Sequence, residues 1–223
     1  MLFAFLVAAI VIFIAEQGDK TQILAFALAT KYRAWEVLLG IFFVNVIVLF
    51  LFTLAGRFVG SFLPELWLWV ISGVAFLAFG AFTLLPKDEE EPSADWSVGG
   101  RGAVLTTAGL FFLAEIGDQA ELITMAIAAN PAGPLGSLGT LGTGIGVSLA
   151  SVGVTASKTS SVATFVGVWL GAVVGIMLAD GIGIAAGRLL GRRLPEKLLR
   201  RVSGTIFVVV GVLVLGIAVR SRI

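Results

Sequence analysis

The 223 residues are 58% hydrophobic and 13% charged, with a mean hydropathy of +1.06 and a net charge of +1. Apolar residues in long runs exclude a soluble domain, and the near-neutral charge excludes a nucleic-acid partner. The chain has no Cys and no His, so it has no disulfides and lacks the usual zinc and copper ligands; any metal must be held by oxygen, as hard cations are.

The first apolar run, from about Leu2 to Ala29, is long enough to cross a bilayer. It has no basic leader and no Ala-x-Ala cleavage pattern, so it reads as a retained span rather than a signal peptide. Inside it stands Glu16-Gln17-Gly18-Asp19-Lys20-Thr21. Further spans are expected at about Val37–Ala55, which holds Asn45, and at Leu66–Leu85, which Pro86 ends. The polar stretch 87–101, with Asp88, Glu89, Glu90 and Glu91, reads as a solvated linker. A fourth span, from about Ala103 to Ala129, contains Glu115, Asp118 and Glu121. The Gly/Ser-rich stretch 131–161 reads as an extended loop, with a weak extra span at Leu138–Val154 left open. Spans at about Val162–Leu190, containing Asp180, and Val202–Val219 complete the chain. Trp35, Trp67, Trp69 and Trp169 read as interface anchors or lipid-facing bulk.

The sequence repeats. Glu16-Gln17-Gly18-Asp19 and Glu115-Ile116-Gly117-Asp118 lie 99 residues apart. Ala55-Gly56-Arg57 with Leu63-Pro64-Glu65 returns as Ala186-Gly187-Arg188 with Leu194-Pro195-Glu196, now 131 residues apart, as do Ser72-Gly73 and Ser203-Gly204, and Gly80 and Gly211. The difference of 32 residues is about the length of the Gly/Ser loop. The expected fold is therefore all-α and polytopic, with six transmembrane helices as two inverted three-helix repeats, 1–86 and 102–223, joined by the linker 87–101. Three spans per half is an odd number, so the halves enter the membrane from opposite sides. Ten Lys and Arg lie in the connectors after the first, third and fifth spans (Lys31, Arg33, Lys87, Arg101, Arg188, Arg192, Arg193, Lys197, Arg200, Arg201), against Arg57, Lys158, Arg220 and Arg222 on the other side. That bias predicts a cytoplasmic acidic linker and both termini outside.

Carboxylates within an apolar span default to function. At about 3.6 residues per turn, Glu16 and Asp19 share a helix face, as do Glu115 and Asp118. The intervening Gly either lets a neighbour approach or lets the helix unwind and expose carbonyl oxygens. The two-fold axis allows both pairs to converge on a cation, with Thr21, Gln22 and Glu121 as further oxygen donors. A cluster of carboxylates is neutralised by a metal or by protons, so the two compete for it. Lys20 would balance charge in the empty site, and Asp180 reads either as a gate or proton-relay residue or as a packing residue. The alternative for the twin motifs is a structural salt-bridge network through Lys20, and for Asn45 an interhelical hydrogen bond rather than a ligand.

With its twin Glu-x-Gly-Asp motifs, the first followed by Lys20-Thr21, the chain resembles the family of bacterial manganese exporters, chloroplast manganese/calcium transporters and Golgi-type cation/proton antiporters. The resemblance covers the whole six-span plan. It implies export of Mn²⁺ or Ca²⁺ from the cytoplasm against protons, with no cofactor, and family binding roles for Glu16, Asp19, Lys20, Thr21, Glu115 and Asp118. Gln119 and Ala120 depart from the family's basic and hydroxyl residues, and the Gly/Ser loop is longer than the family plan needs. The expectation is a non-enzymatic transporter in a bacterial plasma membrane, with lipid, divalent cations and protons as partners and no bar to homo-oligomers. A divalent-cation channel or uniporter is the alternative. An intramembrane aspartyl protease is a remote one, because such enzymes place Gly where Glu16 and Glu115 stand.

Overall fold

A computed structural model describes residues 1–17, 19–85, 102–115, 118–130, 162–190 and 196–220. Every described element is an α-helix: α1 (Leu2–Ala15), α2 (Lys20–Lys31), α3 (Ala34–Phe62), α4 (Glu65–Leu84), α5 (Ala103–Glu115), α6 (Gln119–Ala129), α7 (Val162–Leu190) and α8 (Glu196–Arg220). Stretches of α3, α4 and α7 are long and apolar enough to cross a membrane, and α1, α5, α6 and part of α8 are shorter apolar helices. The helices are inside-out by soluble standards. On α3, Phe43, Ile47, Leu51, Leu54 and Phe58 are exposed, while Val37, Ile41, Val44, Val48 and Leu49 are buried. An exposed stripe of large apolar side chains of that length belongs against lipid.

Three sequence expectations change. The first and fourth spans are not continuous helices, because each breaks between its Glu and its Asp. The expected connector Gly56–Glu65 is mostly helix, as α3 runs on to Phe62 before Leu63 and Pro64 turn the chain. Gly56 and Gly60 keep helical geometry there because they press on α6, where an added Cβ would run into the Met125 and Ala129 carbonyls. The basic connector before the last span is also partly helical, since α8 starts at Glu196. The linker 87–101, the loop 131–161 and the optional span Leu138–Val154 lie outside the described residues.

Packing runs through small residues. Without a hydrophobic force between helices in lipid, close backbone approach supplies the contact. Along the parallel pair α1–α7, Gly167 meets Met1, Gly171 meets Phe5 and Gly175 meets Ala9 and Ile12. Along α3 and α5, Gly40 meets Val104 and Thr107. Each broken helix thus lies against the second long helix of the opposite half of the chain. Helices α4 and α8 pack antiparallel: added Cβ atoms at Gly73 and Gly204 would stand 2.7 Å from Leu215 and Leu84, and those at Gly80 and Gly211 would stand 2.7 Å from Val208 and Leu77. Within each of these pairs of contacts, the residues of one lie 131 positions from those of the other, with the helices exchanged.

Candidate functional site

The two helix breaks have the same local form. At the end of α1 the hydrogen-bond ladder tightens, with Glu16 N–H donating to Ile12 O (3.0 Å), Gln17 N–H to Ile14 O (3.3 Å) and Asp19 N–H to Glu16 O (3.3 Å). At the end of α5, Asp118 N–H donates to Glu115 O at 2.9 Å. Asp19 (φ −80°, ψ 164°) and Asp118 (φ −75°, ψ 165°) are then extended and serve as N-caps of α2 and α6. Aspartate suits that position, and each carboxylate sits at the positive end of a helix dipole. Each Glu–Asp pair therefore straddles a break instead of sharing a helix face. The unwinding alternative is the one the chain adopts, and it releases carbonyls from the helical ladder: at the end of α1, Phe13 O accepts from Gln17 Nε2 and Ala15 O from Gln119 Nε2 instead.

Between the breaks, carboxylate oxygens of Glu16, Asp19 and Asp118 all lie within 4.8 Å of one another. Glu16 is 2% exposed. The Thr21 hydroxyl donates to Glu16 Oε1 and stands 3.4 Å from Asp19 Oδ2, tying the two carboxylates together. Glu115 does not join this triad. It is buried, and its Oε1 accepts from Asn45 Nδ2 of α3 at 2.9 Å. Glu121 serves the helix start instead, where its Oε2 accepts from Asp118 N–H at 3.1 Å and so caps α6. Its repeat counterpart Gln22 donates from Nε2 to Ala179 O on α7 at 2.9 Å. Asp180, the next residue on α7, is fully buried. Of Lys20 only the backbone is described, so its pairing lies outside the described residues.

Two contributors had weak signals in the sequence. Asn45 was legible as an amide in an apolar run, and its bond to Glu115 makes it part of the site's wall. Gln119 donates to Ala15 O at the end of α1 at 2.9 Å and accepts from Thr83 of α4 at 3.3 Å. It joins one helix break to the other.

Removing the Thr21 hydroxyl has a defined consequence. Thr21→Val leaves Glu16 without its donor in a buried place, and unmade buried hydrogen bonds cost about 1–3 kcal/mol. Divalent-cation binding, measured by calorimetry on detergent-solubilised protein, is expected to weaken about tenfold, since about 1.4 kcal/mol is tenfold.

Apolar helices that break at converging carboxylates, one buried and two half-buried, define an integral membrane protein that handles cations. The chain belongs to the GDT1 family of divalent cation/proton antiporters, whose sequence profile matches residues 4–91 and 154–221. It is a family of transporters, not enzymes. The chain is similar to a Vibrio cholerae protein named "Putative manganese exporter", at 28% identity over 198 residues that cover 87% of this chain and 81% of that one. It is also similar to the chloroplastic protein PAM71 of Arabidopsis thaliana, at 29% identity over 230 residues, covering 91% of this chain and 54% of that one. A GDT1-like protein of Synechocystis is 26% identical over 226 residues, covering 93% of this chain and 94% of that one. No solved structure matches the chain.

Proposed function

We propose that this protein exports Mn²⁺, Ca²⁺ or both from the cytoplasm of a bacterial cell in exchange for protons, by alternating access at the paired helix breaks. The observation that carries this reading is the convergence of Glu16, Asp19 and Asp118 within 4.8 Å, from two different breaks. Three carboxylates and a hydroxyl make an oxygen-only donor set suited to a hard divalent cation. Bringing those charges together is costly unless a cation or protons neutralise them, so one occupant leaves as the other enters. Manganese is favoured as cargo by the name of the Vibrio cholerae relative.

The reciprocal glycine contacts of α4 and α8, and the crossing of each broken helix to the other half, support an inverted repeat of residues 1–86 and 102–223. In such a repeat the site lies between the halves, and rocking one against the other exposes it to each side in turn. In this reading Glu115, which accepts from Asn45 here, enters the site when the halves exchange roles. The Lys and Arg bias of the connectors supports a cytoplasmic acidic linker with both termini outside.

The test is purified protein in liposomes, with Mn²⁺ or Ca²⁺ entry and internal pH followed together. The expected result is cation flux with opposite proton movement. Cation flux that leaves internal pH unchanged would make the protein a channel or uniporter. No flux of either ion would overturn the transport site.

A further inference from the structure

Asp180 is a buried acidic residue that neither the triad nor the helix breaks use. It lies on α7, the long helix packed along both α1 and α2, immediately after the carbonyl that receives Gln22. It is 0% exposed, and neither of its carboxylate oxygens has a hydrogen-bond partner among the described residues. A carboxylate buried without donors is expensive, and structural aspartates in membrane helices are ordinarily satisfied by a backbone or side-chain donor. The groups facing it are themselves acidic. Its charge is felt at Glu16 and at Glu115, one on each side of the site. Asp180 is thus within reach of both broken helices. Other buried acceptors also lack a hydrogen-bond partner among the described residues, and two of them line the Glu115 side: Glu115 Oε2, and Oδ1 of Asn45, whose amide nitrogen is already spent on Glu115 and Ile41 O. Oxygens without donors on three separate helices match what a desolvated cation requires and what a packing network avoids.

We propose that Asp180 binds the transported divalent cation directly, as a carboxylate ligand from α7 that links the Glu16 and Glu115 sides of the site. The proposal rests on the reading of the helix breaks as the cation site and adds a ligand from outside both motifs. It also gives the site an asymmetry. The position 131 residues before Asp180 is Leu49, so only one half brings this ligand. A fourth acidic ligand raises the site's demand for a doubly charged ion over a singly charged one.

The experiment is Mn²⁺ binding at fixed pH to detergent-solubilised protein, read by the loss of the free-ion paramagnetic signal, for wild type, Asp19→Asn, Asp180→Asn and Asp180→Glu. Asp180→Asn keeps shape and removes charge, and it is expected to weaken Mn²⁺ binding at least tenfold with an unchanged elution profile. Asp180→Glu keeps the charge and moves it by one methylene, and it is expected to change the ratio of Mn²⁺ to Ca²⁺ affinity at least threefold. This second variant decides the matter if Asp180→Asn does not fold. Unchanged affinity in Asp180→Asn, or an unchanged ratio in Asp180→Glu, overturns the role of Asp180, while loss of binding in Asp19→Asn leaves the helix-break site standing. Wild-type protein that binds no Mn²⁺ or Ca²⁺ overturns both.

Discussion

Replacing Asp118 by Asn is expected to cut Mn²⁺ flux into liposomes at least 30-fold while leaving the protein folded. The two halves of that statement have separate physical grounds. Asp118 caps α6 with extended backbone angles, and Asn is as good an N-cap as Asp, so the break and the helix start should persist. Its carboxylate stands with Glu16 and Asp19 within 4.8 Å, so the substitution removes a charge that the other two cannot replace. Taking one partner from a desolvated charge cluster costs about 2–5 kcal/mol, and about 2 kcal/mol already corresponds to 30-fold. Glu121→Gln, one turn further along α6, is the control. Glu121 accepts from the Asp118 N–H, and the Gln carbonyl can do the same, so flux should stay within about threefold. Equal losses in both variants would mean that α6 needs its acidic turn for folding, and that the triad is not the place where the cation sits.

The second large effect is on assembly. Gly171→Val is expected to destabilise the solubilised protein by about 3 kcal/mol or more, because a Cβ there runs into the Phe5 carbonyl of α1. Backbone does not yield as a flexible side chain does. The two helices must separate, and the α1 break, which carries Glu16, moves with them. For a chain of this size the thermal midpoint should fall by roughly 10 °C. Gly40→Val should behave alike, since its Cβ would stand 2.6 Å from Thr107 Cβ and 2.8 Å from Val104 O. Gly109→Val is the contrast: nothing lies within 4 Å of an added Cβ there, so the midpoint should be unchanged or slightly higher. A Gly171 variant as stable as wild type would show that α1 and α7 are not held at this distance in the membrane.

The class of this protein was legible in its sequence because the bilayer imposes simple demands. Apolar runs about as long as a membrane is thick, and the absence of Cys and His, led to an all-helical membrane protein with oxygen ligands, and the paired motifs led to its family. The motif also announced its own importance, since charge inside an apolar run is rare without a purpose. The local course of the chain at those motifs was not decided there. Glu-x-Gly-Asp is compatible with a glycine-weakened helix and with a broken one. The break prevails where the Asp can cap a new helix and the freed carbonyl of Ala15 finds Gln119, 104 residues away. Which carboxylates meet was likewise settled by packing. The sequence treats Glu16 and Glu115 as equivalents, yet Thr21 turns Glu16 toward Asp19, Asn45 holds Glu115 aside, and the positions that would restore the symmetry carry Ala120 and Ile176. Partners that far apart along the chain leave no periodic trace in it. The glycine contacts that bring α7 to α1, and α3 to α5 and α6, decide which side chains share the interior of the bundle.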